Sequence, residues 1–132
     1  MATDIPQLFR LNIEVGNLNQ AEQFYRTLFA IPGRRHVGGR VYFDAGSVTL
    51  QIVDVSATGI PHPAAKALYF TVKHVDALHA RAKSLNALSK DLVHGMPGGD
   101  VVMRPWGERS FYVEDPWANP LCFVEAGTTY PG

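Results

Sequence analysis

A strand-then-helix pattern occurs twice in this chain and narrows the folds open to it. Residues 8–15, LFRLNIEV, alternate: Phe9, Leu11, Ile13 and Val15 share one face, Leu8, Arg10, Asn12 and Glu14 the other. Asn17, with Gln20 three residues later, has the form of a capping box. Leu18, Ala21, Tyr25 and Leu28 then lie on one helical stripe, and Pro32 and Gly33 are expected to end the helix. Residues 67–72, ALYFTV, begin the pattern again, with Leu68, Phe70 and Val72 opposite Ala67, Tyr69 and Thr71. Val75, Leu78, Ala82 and Leu85 follow at the same three-four-three spacing, so Val15 and Val72 mark equivalent points of a duplication.

Each copy continues into short strands. In the first these are RRHV, RVYFD and SVTLQIVDV, split by Gly38-Gly39 and Ala45-Gly46. In the second they are DLVH or DVVMR, then RSFYVE, then PLCFVE. Both copies read βαβββ, one over residues 8–55 and one over 66–126, within a single domain spanning 1–132. The link from Val53 to Lys66, with Gly59, Pro61 and Pro63, reads as a connector. The stretch from His94 to Trp106 is longer than its counterpart, and its Gly95, Pro97, Gly98 and Gly99 suggest either a mobile flap or a plain surface loop. The fold class is therefore α+β. The apolar strand faces pack on helices, and the mixed faces, with Arg10, Asn12, Glu14, Thr49, Gln51, Tyr69, Thr71 and Tyr112, are solvated or line a cleft.

Twelve basic residues balance twelve acidic ones, which gives no reason to expect nucleic acid or an anionic membrane as partner. No apolar run approaches the roughly 20 residues of a membrane span. MATDIPQLFR lacks the basic-then-apolar order of a signal peptide. Cys122 is the only cysteine, so no internal disulfide can form, which fits a cytoplasmic setting.

Two segments, LNIEVGNLNQAEQFYRTLF and PWGERSFYVEDPWANPLCFVE, resemble the glyoxalase, bleomycin-resistance and extradiol-dioxygenase group, the vicinal oxygen chelate superfamily. The resemblance spans residues 8 to 125, with one local departure: Ala118 stands where the family turn usually has Gly. It implies a curled mixed β-sheet cup with helices packed on its outer face. In metal-dependent members four side chains reach into the cup, and by position they correspond here to Arg10, Gln51, Ala67 and Cys122. Arg10 is a permanent cation, Ala67 has no donor, and Gln51 with Cys122 does not make a hard-cation site, so neither metal nor other cofactor is expected. Cys122 is expected to be a buried filler.

Metal-free members of the group bind flat molecules in clefts at a dimer interface, so a homodimer holding a small-molecule ligand is the expectation. The candidate ligand-binding residues are Arg10, Asn12, Tyr42, Gln51, Tyr69, Thr71, Arg104, Trp106, Tyr112 and Cys122, with Trp117 and Arg109 as further contributors. Arg10 also has Glu14 as a candidate ion-pair partner, and Arg109 has Glu114 or Asp115. The resemblance implies a planar ligand, in the manner of antibiotic or toxin sequestration, and the neutral net charge with Arg34-Arg35 and Arg10 favours a neutral or anionic one. The alternative is a lyase, isomerase or dioxygenase-like enzyme acting on a small carbonyl or aromatic compound, with Glu14 as base and Tyr112 as donor.

Overall fold

The computed structural model describes residues 4, 6–64 and 67–130. Lys66, where the second unit is expected to begin, and residues 1–3 and 5, on which the N-terminal reading partly rests, lie outside them. Strand β1 (Arg10–Val15) leads into helix α1 (Leu18–Phe29), then β2 (Arg34–His36), β3 (Arg40–Ala45) and β4 (Val48–Asp54). The second unit repeats this with β5 (Leu68–Val72), α2 (Val75–Ser84), a small hairpin of β6 (Leu92–Val93) and β7 (Met96–Pro97), then β8 (Val102–Met103), β9 (Arg109–Glu114) and β10 (Pro120–Glu125).

The strand orders are β1-β4-β3-β2 and β5-β10-β9-β8. In each unit the first strand pairs parallel with the last, and the remaining pairs are antiparallel. Two hydrogen bonds show how close the duplication is. The Val55 amide donates to Val15 O at 3.0 Å, and the Ala126 amide donates to Val72 O at 2.8 Å. The α+β class and the two βαβββ units stand, each unit forming a mixed, open four-stranded sheet.

Helix α1 starts where the cap places it, with Asn17 Oδ1 accepting from the Gln20 amide at 2.9 Å. It stops earlier than Pro32-Gly33: Ala30 turns left-handed at φ 57, which ends the hydrogen-bond ladder directly after Phe29. Gly33 has a different role, since a Cβ there would lie 2.7 Å from Val41 and 2.8 Å from Phe43. Leu18, Ala21, Phe24, Tyr25 and Leu28 bury the α1 stripe against Ile13, Val15, Val41, Phe43, Leu50 and Ile52. Each large side chain so buried stabilises by about 1.5–3 kcal/mol. Phe29 joins the two units, its ring 5.9 Å from Phe43, 5.5 Å from Phe70 and 6.2 Å from Phe123.

The turn Asp115–Asn119 makes the second junction. Asp115 Oδ1 accepts from the amides of Trp117 and Asn119, both at 2.8 Å, which folds the turn on itself. Asp115 Oδ2 accepts from Asn119 Nδ2 at 2.8 Å and from the Tyr25 hydroxyl, a residue of α1, at 2.7 Å. Burial, then the neighbouring carboxylate, pushes the Tyr25 hydroxyl well above its ordinary pKa, so it stays protonated and donates. Trp117 is half-buried and packs over Gly16, whose added Cβ would lie 2.8 Å from the indole nitrogen.

Ala118 takes the left-handed position that glycine favours, at φ 64. A left-handed non-glycine residue costs about 1–2 kcal/mol, part of which glycine returns as unfolded-chain entropy. Ala118→Gly is therefore expected to stabilise the protein by about 0.5–1 kcal/mol in urea unfolding, and a loss of stability would contradict the turn geometry.

The segment from His94 to Trp106 is not a loose flap. Gly98 N donates to Asp91 O at 2.8 Å, Tyr112 N donates to Gly98 O at 2.7 Å, and His79 Nε2 lies 2.9 Å from Gly99 O. Gly98 and Gly99 are buried, and a Cβ at Gly99 would lie 2.6 Å from Ser89 O. Those glycines serve close approach rather than mobility.

Candidate functional site

The mixed face of the first sheet carries a hydrogen-bonded row. The register sets Asn12 opposite Gln51 and Gln51 opposite Tyr42. The Tyr42 hydroxyl donates to Gln51 Oε1 at 3.0 Å, and Gln51 Nε2 donates to Asn12 Oδ1 at 2.7 Å. Arg10 is exposed, with its guanidinium 5.0 Å from the Phe9 ring centroid. It makes no ion pair with Glu14 among the described residues; Glu14 Oε1 instead accepts from the His62 amide at 2.9 Å. Glu14 therefore holds the connector in place.

The second sheet carries a different cluster. Cys122 lies between Tyr69 and Tyr112 in the register, and those two rings meet edge to face at 6.4 Å. Tyr69 is 63% exposed and Cys122 only 1%. Burial pushes the Cys122 thiol up to about 11, against hydrogen bonds from Tyr112 and Ser110 and the nearby Arg104 charge. Burial, then the Cys122 and Tyr69 neighbours, raises the Tyr112 hydroxyl, which stays protonated. Native Cys122 is accordingly expected to react with a soluble thiol reagent at pH 7.5 about a hundredfold or more slowly than in the unfolded chain. Rapid native labelling would show that the thiol is not the inert filler described.

Arg104, expected to meet a ligand, is 1% exposed. Its Nε donates to Ser110 Oγ at 3.2 Å, and its Nη2 donates to Ser110 O at 3.1 Å, Asp100 O at 3.3 Å and Gly98 O at 3.4 Å. The guanidinium lies 5.3 Å from the Tyr112 ring centroid, and Nη1 is buried without a protein partner among the described residues. The residue fastens the 94–106 segment to the sheet. Arg109 is also spent: it pairs with Asp76 at 3.0 Å and with Glu125, not with Glu114 or Asp115.

Tyr69, Thr71, Trp106, Glu108, Val124 and Tyr130 line a cleft of about 380 Å³ on the second unit. Trp106 is half-buried, edge-on to His94 at 4.9 Å, and its indole Nε1 donates to Glu108 Oε1 at 2.7 Å. Among the described residues, Arg10, Asn12, Tyr42 and Gln51 do not line the three principal cavities that Tyr69 borders. The candidate residues thus form two groups, one on each sheet, and no hydrogen bond among the described residues joins them. Of the two acid–base candidates, Glu14 accepts from the His62 amide on the first sheet and Tyr112 stands beside Cys122 on the second. Sequence reasoning missed Glu108 and Tyr130. Glu108 follows Trp106 by two residues, and Tyr130 lies beyond the last strand, where no periodicity marks a role.

The four positions corresponding to the metal-dependent cup do not fit a divalent ion. Arg10 is a cation, Ala67 has no donor, and one neutral amide oxygen at Gln51, which accepts from Tyr42, with one buried thiol at Cys122 does not make a hard-cation set. Among the described residues no three His, Cys, Asp or Glu side chains converge to replace them.

The architecture is that of the glyoxalase/bleomycin resistance/dioxygenase proteins, the vicinal oxygen chelate fold. A glyoxalase/bleomycin resistance protein from Albidiferax ferrireducens T118 superposes with a TM-score of 0.73 at 18% identity, covering 88% of this chain and 95% of that one. Lactoylglutathione lyase from Agrobacterium tumefaciens gives 0.66 at 21% identity, with coverage of 94% and 96%. The fosfomycin resistance protein FosX from Listeria monocytogenes gives 0.70 at 18% identity, with coverage of 93% of each chain. Those structures include enzymes and resistance proteins alike. No family model matches the sequence, and no curated protein is detectably similar to it.

Proposed function

We propose that the protein binds a small planar organic molecule without a metal ion, in the cleft beside Tyr69 and Trp106, and so sequesters compounds of the antibiotic or toxin kind. The observation that carries this reading is an aromatic side chain left 63% exposed at the edge of a cleft of about 380 Å³ that Trp106 also lines. The unsuitable donor set at Arg10, Gln51, Ala67 and Cys122 supports metal independence. The separation of the two polar groups within one chain supports a homodimer in which a second copy closes the cleft.

Planar aromatic compounds are expected to raise the melting temperature to the same extent with and without a chelator. Tyr69→Ala is expected to weaken their binding about tenfold, the loss of one stacked ring. A ligand response that vanishes on chelation and returns with a divalent metal would sink the reading.

A further inference from the structure

We infer that the guest of the Tyr69–Trp106 cleft is an organic cation, held in a cage of Trp106, Tyr69 and Tyr130 against the Glu108 carboxylate. The inference rests on the proposed binding function and assigns the ligand a positive charge, in place of the neutral or anionic ligand expected from the sequence. Glu108 is the one ionisable acid or base among the cleft's described lining residues apart from the tyrosine hydroxyls. It forms no ion pair with any Lys, Arg or His among the described residues. Its two oxygens instead organise the rings: Oε1 accepts from Trp106 Nε1 and Oε2 accepts from the Tyr130 amide, both at 2.7 Å. A single half-buried carboxylate thus sets two of the three aromatic walls and keeps its negative charge uncompensated.

Tyr69 and Tyr130 are 63% and 61% exposed, and no ring contact joins Trp106, Tyr69 and Tyr130 to one another among the described residues. The rings therefore border the same space without filling it. Aromatic faces carry negative potential, and a carboxylate adds to it, so the lining favours an ammonium or a cationic heteroaromatic over a carboxylate. Arg104 is the cation that argues the other way. It stands beneath Tyr112 at 1% exposure, its Nε and Nη2 bound to Ser110, Gly98 and Asp100, and it does not line the cleft.

The test is a calorimetric and tryptophan-fluorescence titration of the intact protein with phenyltrimethylammonium, its neutral isostere tert-butylbenzene, and benzoate. The cation is expected to bind about tenfold or more tightly than either of the others. Glu108→Gln is expected to remove about tenfold of that affinity while leaving tert-butylbenzene binding within about twofold, which separates lost charge from a displaced ring. Tyr130→Ala, at an exposed position outside the core, is expected to weaken the cation about three- to tenfold and keeps the test decisive if the Glu108 variant folds poorly. Tighter binding of benzoate or of the neutral isostere, with a loss in Tyr69→Ala, would overturn the cation assignment and leave the binding reading standing. Absence of binding by all three at millimolar concentration would overturn both.

Discussion

Asp115→Ala is expected to lower stability by about 3–5 kcal/mol, the largest loss anticipated for any single turn residue here. The carboxylate accepts four hydrogen bonds, two from backbone amides and one each from Asn119 Nδ2 and the Tyr25 hydroxyl. Tyr25 and Asn119 are fully buried, so water cannot easily replace the missing acceptor. Tyr25→Phe removes one of those donors and leaves the carboxylate with three, so its cost is expected to be smaller, about 1–2 kcal/mol. A double-mutant cycle in urea isolates the pair and is expected to give a coupling of about 1–3 kcal/mol. A cost below about 0.5 kcal/mol for Asp115→Ala would mean that the turn does not fasten the second unit to α1.

Arg104→Ala is expected to cost about 3–4 kcal/mol and to loosen the 94–106 segment selectively. The substitution strips a donor from two loop carbonyls and from Ser110, and leaves a void under Tyr112. Arg104→Met fills much of the void but restores none of the hydrogen bonds, so it is expected to recover only about a third of the loss. Hydrogen exchange gives the more specific readout: amides from Gly98 to Arg104 should exchange faster in both variants, while those of α1 keep their rates relative to global stability. Equal changes throughout the chain would indicate that Arg104 supports the whole fold rather than that segment.

The alternating strand faces, the α1 and α2 stripes and the duplicated start are all legible in the sequence. Each depends on side chains two, three or four residues apart, and the backbone alone sets which of them share a face. The equivalence of Val15 and Val72 extends to their hydrogen bonds with Val55 and Ala126. The capping role of Asn17 was legible for the same local reason, whereas the early stop at Ala30 was not, because a left-handed alanine carries no compositional mark.

The site divides along the same line. Alternation correctly set Asn12, Gln51, Tyr69, Tyr112 and Cys122 on the mixed faces, since pleat direction is local. Which of these would share a cavity depends on how the two sheets are carried by their common core, and Phe29 and Asp115 decide that through contacts far apart in sequence. The burial of Arg104 and the meeting of Glu108 with Tyr130 belong to the tertiary structure alone. A charge is buried, and a carboxylate is brought to a distant amide, only when the whole chain supplies the partners that replace water.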